Sequence, residues 1–333
     1  MKTELYFSNE DFKQIAMEST PITETSLTPK DAFFLLIEGV KLRDLDLYCQ
    51  NVQSEVFPEQ SIEEIYEMLQ HPESLTEDQK KELFDIALNT NKFGSFVVNP
   101  MPNLFINTSS WIKHSLNVGI TAFNLATGLQ DTDPQTAFVL GILHDIGRKF
   151  KTDMQHTIFG FEYLVSKGYP NEARICLTHS HLHGERCANN EPAVPGWSCQ
   201  NGISTWDESV ETDDLTKFLR QTTYNSYDHI LNIADLMATD SAILPVYDRL
   251  QDIKQRRKID PTNRKFFYAE LINLLNEYLH ASIINEEYTP IAATNDTTEE
   301  SLEQKLIQTS TAFYSYYKSL EPTENFPKKS LKN

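Results

Sequence analysis

The 333-residue chain is long enough for a well-buried core, organised as one large domain or two smaller ones. Its formal net charge of −19 disfavours a protein that grips long nucleic acid, because the phosphate term that dominates such binding would be repulsive. No apolar leader precedes Ser8-Asn9-Glu10-Asp11, and the apolar runs are too short to span a bilayer, so a soluble, cytoplasmic protein without a membrane partner is expected.

Residues 1–100 read as an accessory helical region. Ser8 or Asn9 suits the cap of a helix through Glu18, and Thr28-Pro29 starts one predicted over residues 32–42. Ser61-Ile62-Glu63-Glu64 and Thr76-Glu77-Asp78-Gln79 resemble capping boxes for helices to about Leu69 and Leu88. His71, before Pro72, reads as a helix-end residue. The segment 91–107, with Gly94, Pro100 and Pro102, breaks the rhythm and marks a boundary.

Ser109-Ser110 opens a helix from Trp111 to Thr127, with His114, Val118, Ala122 and Leu125 near one face, which directs the imidazole inward. Asp133-Pro134 opens an apolar helix whose last turn is predicted to carry His144-Asp145, with Gly147 letting the chain turn away. A buried carboxylate beside an imidazole needs a cation, a metal or a hydrogen-bond network. A His-Asp pair alone is weak, but other segments offer ligands: His114, His156 with His179 downstream, and Asp235 between apolar neighbours in a later helix. Together they point to a metal centre.

Three of the nine histidines, His179, His181 and His183, alternate in one loop after a helix that starts at Pro170, a clustering that favours transition metals. Residues 185–227 read as a polar, lid-like insertion containing Trp197 and Trp206. The core is bounded at 101–245, and residues 246–333 are expected to supply C-terminal helices that pack on it. In that region the basic run at 254–258 reads as a solvated helix start, and Phe313, Tyr314, Tyr316 and Tyr317 suggest a packing face.

Cys49, Cys176, Cys187 and Cys199 lack the CxxC spacing of a structural zinc site and are expected to be reduced. Residues 141–190 carry six basic and five acidic side chains, near neutrality in an acidic chain, which suits a small anionic substrate better than a polymer.

His114, His144-Asp145 and Asp235 resemble the H…HD…D signature of the HD-domain superfamily of metal-dependent phosphohydrolases, over about residues 103–243. The resemblance implies an all-α helical bundle, here with additional N-terminal and C-terminal helices. His156 and His179 are similar to the extra ligands of the dinuclear branches, such as the HD-GYP phosphodiesterases and the symmetrical diadenosine tetraphosphate hydrolases. The chain departs from both: Gly168-Tyr169-Pro170 precedes His179 instead of following the histidine run, and the 185–227 insertion is long.

That resemblance implies one metal held by His114, His144, Asp145 and Asp235, and a second held by His156, His179 and a bridging Asp145. One or two divalent ions of Fe, Mn, Zn, Ni or Mg fit such a mixed nitrogen and oxygen set. Asp145, Arg148, His181 and His183 are the candidate catalytic residues: Arg148 to neutralise a phosphate oxygen, His181 or His183 as a supporting donor or general acid. The favoured function is hydrolysis of a small phosphate ester or nucleotide. Di-iron oxygenase chemistry and a non-catalytic regulatory module are the alternatives, and a homo-oligomer is left open.

Overall fold

The computed structural model describes residues 5–93, 110–152, 155–182, 214–257, 264–284, 288–291 and 296–320. Among these residues the architecture is all-α, interrupted only by an isolated antiparallel bridge between Ala238 and Ile243.

The first helices begin where capping chemistry places them. α1 (Glu10–Glu18) is capped by the Asn9 side chain, which accepts from the Phe12 amide, and α2 (Pro29–Ile37) by a reciprocal Thr28–Asp31 box. α2 ends before the predicted residue 42, because Gly39 adopts φ +72°, a left-handed conformation open to glycine. The chain then re-enters a helix that the sequence reading leaves out, α3 (Leu42–Glu55). Its N-cap, Lys41, makes no side-chain capping bond, so no start signal is present. α4 (Ile62–Gln70) and α5 (Glu77–Phe93) follow their capping residues Ser61 and Thr76, and His71 closes α4 as expected.

The core bundle comprises α6 (Ser110–Ala126), α7 (Pro134–Leu143), α8 (His156–Ser166), α9 (Pro170–Thr178) and, after α10 (Asp214–Gln221), α11 (Ser226–Met237). α7 is its axis. Every residue from Thr136 to Leu143 is buried, consistent with a helix that is apolar all round and packs against α2, α6, α9 and α11. α6 and α7 cross at a glycine pair: a Cβ added to Gly141 would lie 2.6 Å from the Gly119 Cα and 2.8 Å from its nitrogen. This close approach brings the histidine of α6 and the end of α7 into one site.

The N-terminal helices share this core instead of forming a detached unit. Phe33 meets Phe84, which meets Phe138 of α7, with ring centroids 5.7 and 6.2 Å apart. Lys149 adds a polar tie: its ammonium donates to the Leu35 and Glu38 carbonyls at the end of α2 and to the Tyr163 hydroxyl on α8. α12 (Val246–Arg257), α13 (Arg264–Leu279) and α14 (Glu299–Leu320) cover the other side. Tyr278 and Phe313 pack edge to face at 5.3 Å, and Asn124 of α6 donates to the Tyr317 hydroxyl at 3.3 Å, so the aromatic face of α14 packs as expected.

Two expectations need correction. Residues 254–257 of the basic run lie in the last turn of α12 and not at a helix start, and Lys258 lies outside the described residues. The insertion at 185–227 is not lid-like throughout. Residues 183–213 lie outside the described residues, but α10 is part of the bundle: Leu215 and Phe218 are buried, the Asp214 amide donates to the Leu5 carbonyl, and Lys13 pairs with Asp214 at 3.3 Å. Among the described residues, no helix is long and apolar enough to cross a membrane.

Candidate metal centre

The His-Asp pair lies at the exit of α7, not within its last turn. The helix ends at Leu143, His144 is its C-cap, and Asp145 leaves the helical path at φ −103°, ψ 13° before a single 3-10 turn over Ile146–Lys149. The helix ends here without a left-handed residue, and Gly147 serves closeness instead. A Cβ on it would fall 1.9 Å from the His156 carbonyl oxygen and 2.5 Å from the Gly160 nitrogen. Gly160 in turn leaves room for the Cys176 thiol of α9. Small residues thus let the start of α8 rest on the turn after Asp145 and carry His156 to that carboxylate.

The six residues expected as metal ligands converge. His114 Nε2 lies 2.9 Å from Asp235 Oδ1 and 3.9 Å from Asp145 Oδ2; His144 Nε2 lies 3.6 Å from Asp145 Oδ2 and 3.9 Å from Asp235 Oδ1. On the other side, His156 Nε2 is 2.9 Å and His179 Nε2 is 3.5 Å from Asp145 Oδ1, and these two imidazole nitrogens are 3.5 Å apart. The carboxylate of Asp145 therefore divides its oxygens between two sets of donors. Ligand atoms of His114, His144 and Asp235, and those of His144, Asp145 and His179, lie within 4.8 Å of one another.

Backbone contacts orient two of the rings. His144 Nδ1 sits 2.6 Å from the Gly141 carbonyl and His179 Nδ1 sits 3.1 Å from that of Ile175, an arrangement that places the proton on Nδ1 and leaves Nε2 as the free lone pair. His144 Nε2 is buried and has no hydrogen-bond partner among the described residues, although it faces two carboxylates. Buried polar atoms are rarely left so, and a cation between these groups would satisfy them all.

Arg148 lies at this centre too, its guanidinium donating to Asp145 Oδ2 and to the Thr152 carbonyl. His181 is buried beside His179 and His156, with neither ring nitrogen bonded among the described residues. His183 lies outside them.

Electrostatics favour neutral imidazoles and ionised carboxylates. Burial pulls His144 down to about 3 despite Asp145, while burial and then His179 and His156 pull His181 to about 3. Burial also lowers His156 more than Asp145 raises it. For Asp145 burial acts upward, but Arg148 and the imidazoles of His144 and His156 outweigh it and hold the carboxyl well below its usual range. Asp235 is lowered likewise, by His114 above all, against burial.

A pH dependence of stability follows for the metal-free chain. Unfolded histidines titrate near 6.5, so as pH falls below that value the unfolded state takes up protons that folded His144 and His181 refuse until about 3. Stability therefore falls with acid, by about 1.4 kcal/mol per pH unit for each group, or roughly 3 for both. Urea unfolding of chelator-treated protein between pH 7 and 5 should show a midpoint that drops steadily; a flat profile would contradict the buried neutral rings.

All six ligand candidates fall inside one recognisable segment. Residues 111–240 match the family model of the HD domain. The match supports the HD superfamily, whose members are generally metal-dependent phosphohydrolases, for this segment, and it leaves the dinuclear branch open. No curated protein and no solved structure matched the chain. Within the HD-domain segment, the sequence reading leaves out Asn232 and takes Asp228 for a cap or surface residue. Asp228 completes the capping box of α11, whose N-cap is Asn225, but it is buried and paired with Arg174. The available signal is spacing: Asp228, Asn232 and Asp235 form a polar stripe on one face of an otherwise apolar helix.

Proposed function

We propose that the HD-domain segment is a metal-dependent phosphohydrolase centre acting on a small phosphate ester or nucleotide, with two cations held around Asp145. The division of the Asp145 carboxylate between two imidazole pairs carries this reading. His114, His144, Asp145 and Asp235 would hold one cation, and His156, His179 and Asp145 the other. Divalent cations bound there would supply Lewis acidity toward water and toward a phosphoryl oxygen. Mixed imidazole and carboxylate donors suit Fe, Mn, Zn or Ni.

The remaining roles belong to the protein. Arg148, with its side chain 18 % exposed, pairs with the Asp145 carboxylate and would neutralise a phosphate oxygen at the site. His181, neutral at pH 7, serves as a hydrogen-bond donor better than as a general acid, since its proton affinity is too low to hold a charge there. The near neutrality of residues 141–190 in an otherwise acidic chain favours an anionic substrate.

The test is phosphate release from an aryl phosphate and a panel of nucleotides, including a diadenosine polyphosphate and a cyclic dinucleotide, with each metal in turn. Release from at least one substrate, abolished by a chelator and restored by metal, is expected. Metal-loaded protein that releases nothing across the panel would overturn the reading. If that protein showed a mixed-valent iron pair, dioxygen chemistry would replace hydrolysis.

A further inference from the structure

Resting on the two-cation reading, we infer that Asn232 is a positioning residue that fixes His179, and with it the second cation site, relative to the first. Asn232 stands on α11 one turn before Asp235 and is buried. Its side-chain amide donates to two carbonyls at once, that of Thr178 at 3.1 Å and that of His179 at 2.7 Å. The end of α9 leaves carbonyls without intrahelical partners; that of Thr178 also accepts from the His181 amide at 3.1 Å and the Tyr224 hydroxyl at 3.3 Å, whereas that of His179 takes its 2.7 Å bond from Asn232.

The contact is one step in a longer stripe. One turn earlier, Asp228 accepts from the Thr178 hydroxyl at 2.7 Å and from Arg174 at 2.9 Å. Arg174 also donates to the Thr222 hydroxyl and the Thr223 carbonyl, which anchors the segment leading into α11. Asp228 and Arg174 thus lock the body of α9 onto α11, while Asn232 grips the residue that carries the imidazole. The His179 ring is held from its own side by the Ile175 carbonyl, leaving Nε2 toward Asp145.

A single face of α11 therefore carries both Asp235, from the first donor set, and the amide that sets His179, from the second. Ordinary helix capping needs only a donor to the last carbonyls. Placement of that donor three residues from Asp235 couples the two sets through one rigid helix. Removing the donor should loosen His179 while leaving Asp235, His114 and His144 in register.

The experiment is titration of Mn2+ into metal-free full-length protein, with bound metal counted directly, for wild type, Asn232→Leu and Asn232→Asp. Leucine keeps the volume, and aspartate keeps the shape without the donor. Wild type should bind two ions. Both variants should bind the first with near wild-type affinity and the second about 10- to 100-fold more weakly, the loss typical when a ligand loses its supporting hydrogen bond. A variant that binds both ions as tightly as wild type would overturn the inference, whatever its thermal stability. Loss of the helical circular dichroism signal in both variants would assign Asn232 to folding alone and overturn it too. Wild-type protein that binds no ion would overturn the metal reading itself, a failure visible without any variant.

Discussion

Asp145→Asn is expected to abolish tight binding of both cations and to lower kcat/KM for the responsive phosphate substrate by on the order of 10⁴. Loss of one supporting hydrogen bond costs about 10- to 100-fold at a single metal site, and Asp145 is a direct donor candidate for two, so the losses multiply to about 10² to 10⁴, with the upper end expected for a direct donor. Its Oδ2 faces His114 and His144, and its Oδ1 faces His156 and His179. Asparagine is close in size but uncharged, so the comparison isolates the carboxylate. His156→Ala, by contrast, should cost the second ion and spare the first. Metal counting and steady-state kinetics on the same preparations separate these outcomes, and an Asp145→Asn protein that keeps both ions would contradict the shared-carboxylate geometry.

Gly141→Ala should be the most damaging conservative substitution among the described glycines of the helix crossing. Adding volume to a packed interior costs about 1–3 kcal/mol when side chains can yield, and more when they cannot. Here the new methyl would meet backbone, 2.6 Å from the Gly119 Cα and 3.1 Å from the Val118 carbonyl carbon, so α6 and α7 must separate. We expect a loss of at least about 3 kcal/mol in urea unfolding. Metal binding should fall as well, because separating the helices moves His114 from His144. Gly39→Ala is the matched control: nothing lies within 4 Å of its Cβ, and only the strain of φ +72° opposes it, for a cost of about 1 kcal/mol. Equal stability of the two variants would show that the crossing tolerates expansion.

Much of this structure is legible in the sequence because its signals are local. Thr28, Ser61, Thr76 and Asp133 announce helix starts through capping chemistry that a few residues determine, and the structure shows those bonds. The site is legible for a related reason: imidazoles and carboxylates set among apolar neighbours cannot be buried alone, so His114, His144, Asp145 and Asp235 imply one another. α3 escapes because Lys41 offers no cap, and α10 because its binding to α1 and α9 depends on tertiary packing around a polar segment. The exit of the chain at His144 escapes too, since Gly147 looks like a helix terminator and acts as a point of backbone contact. Asn232 is hidden for the opposite reason. An asparagine in an apolar helix has several bland uses, and only its distance to the end of α9 gives it a role.

The most direct measurement is the metal content of wild-type protein, stripped with chelator, reloaded with Mn2+, Fe2+ or Zn2+, and counted by mass spectrometry after removal of free ion. The donors gathered on the two sides of Asp145 predict two tightly bound ions per chain for at least one of these metals. A chain that retains none after loading, with its helical structure intact, would contradict the account.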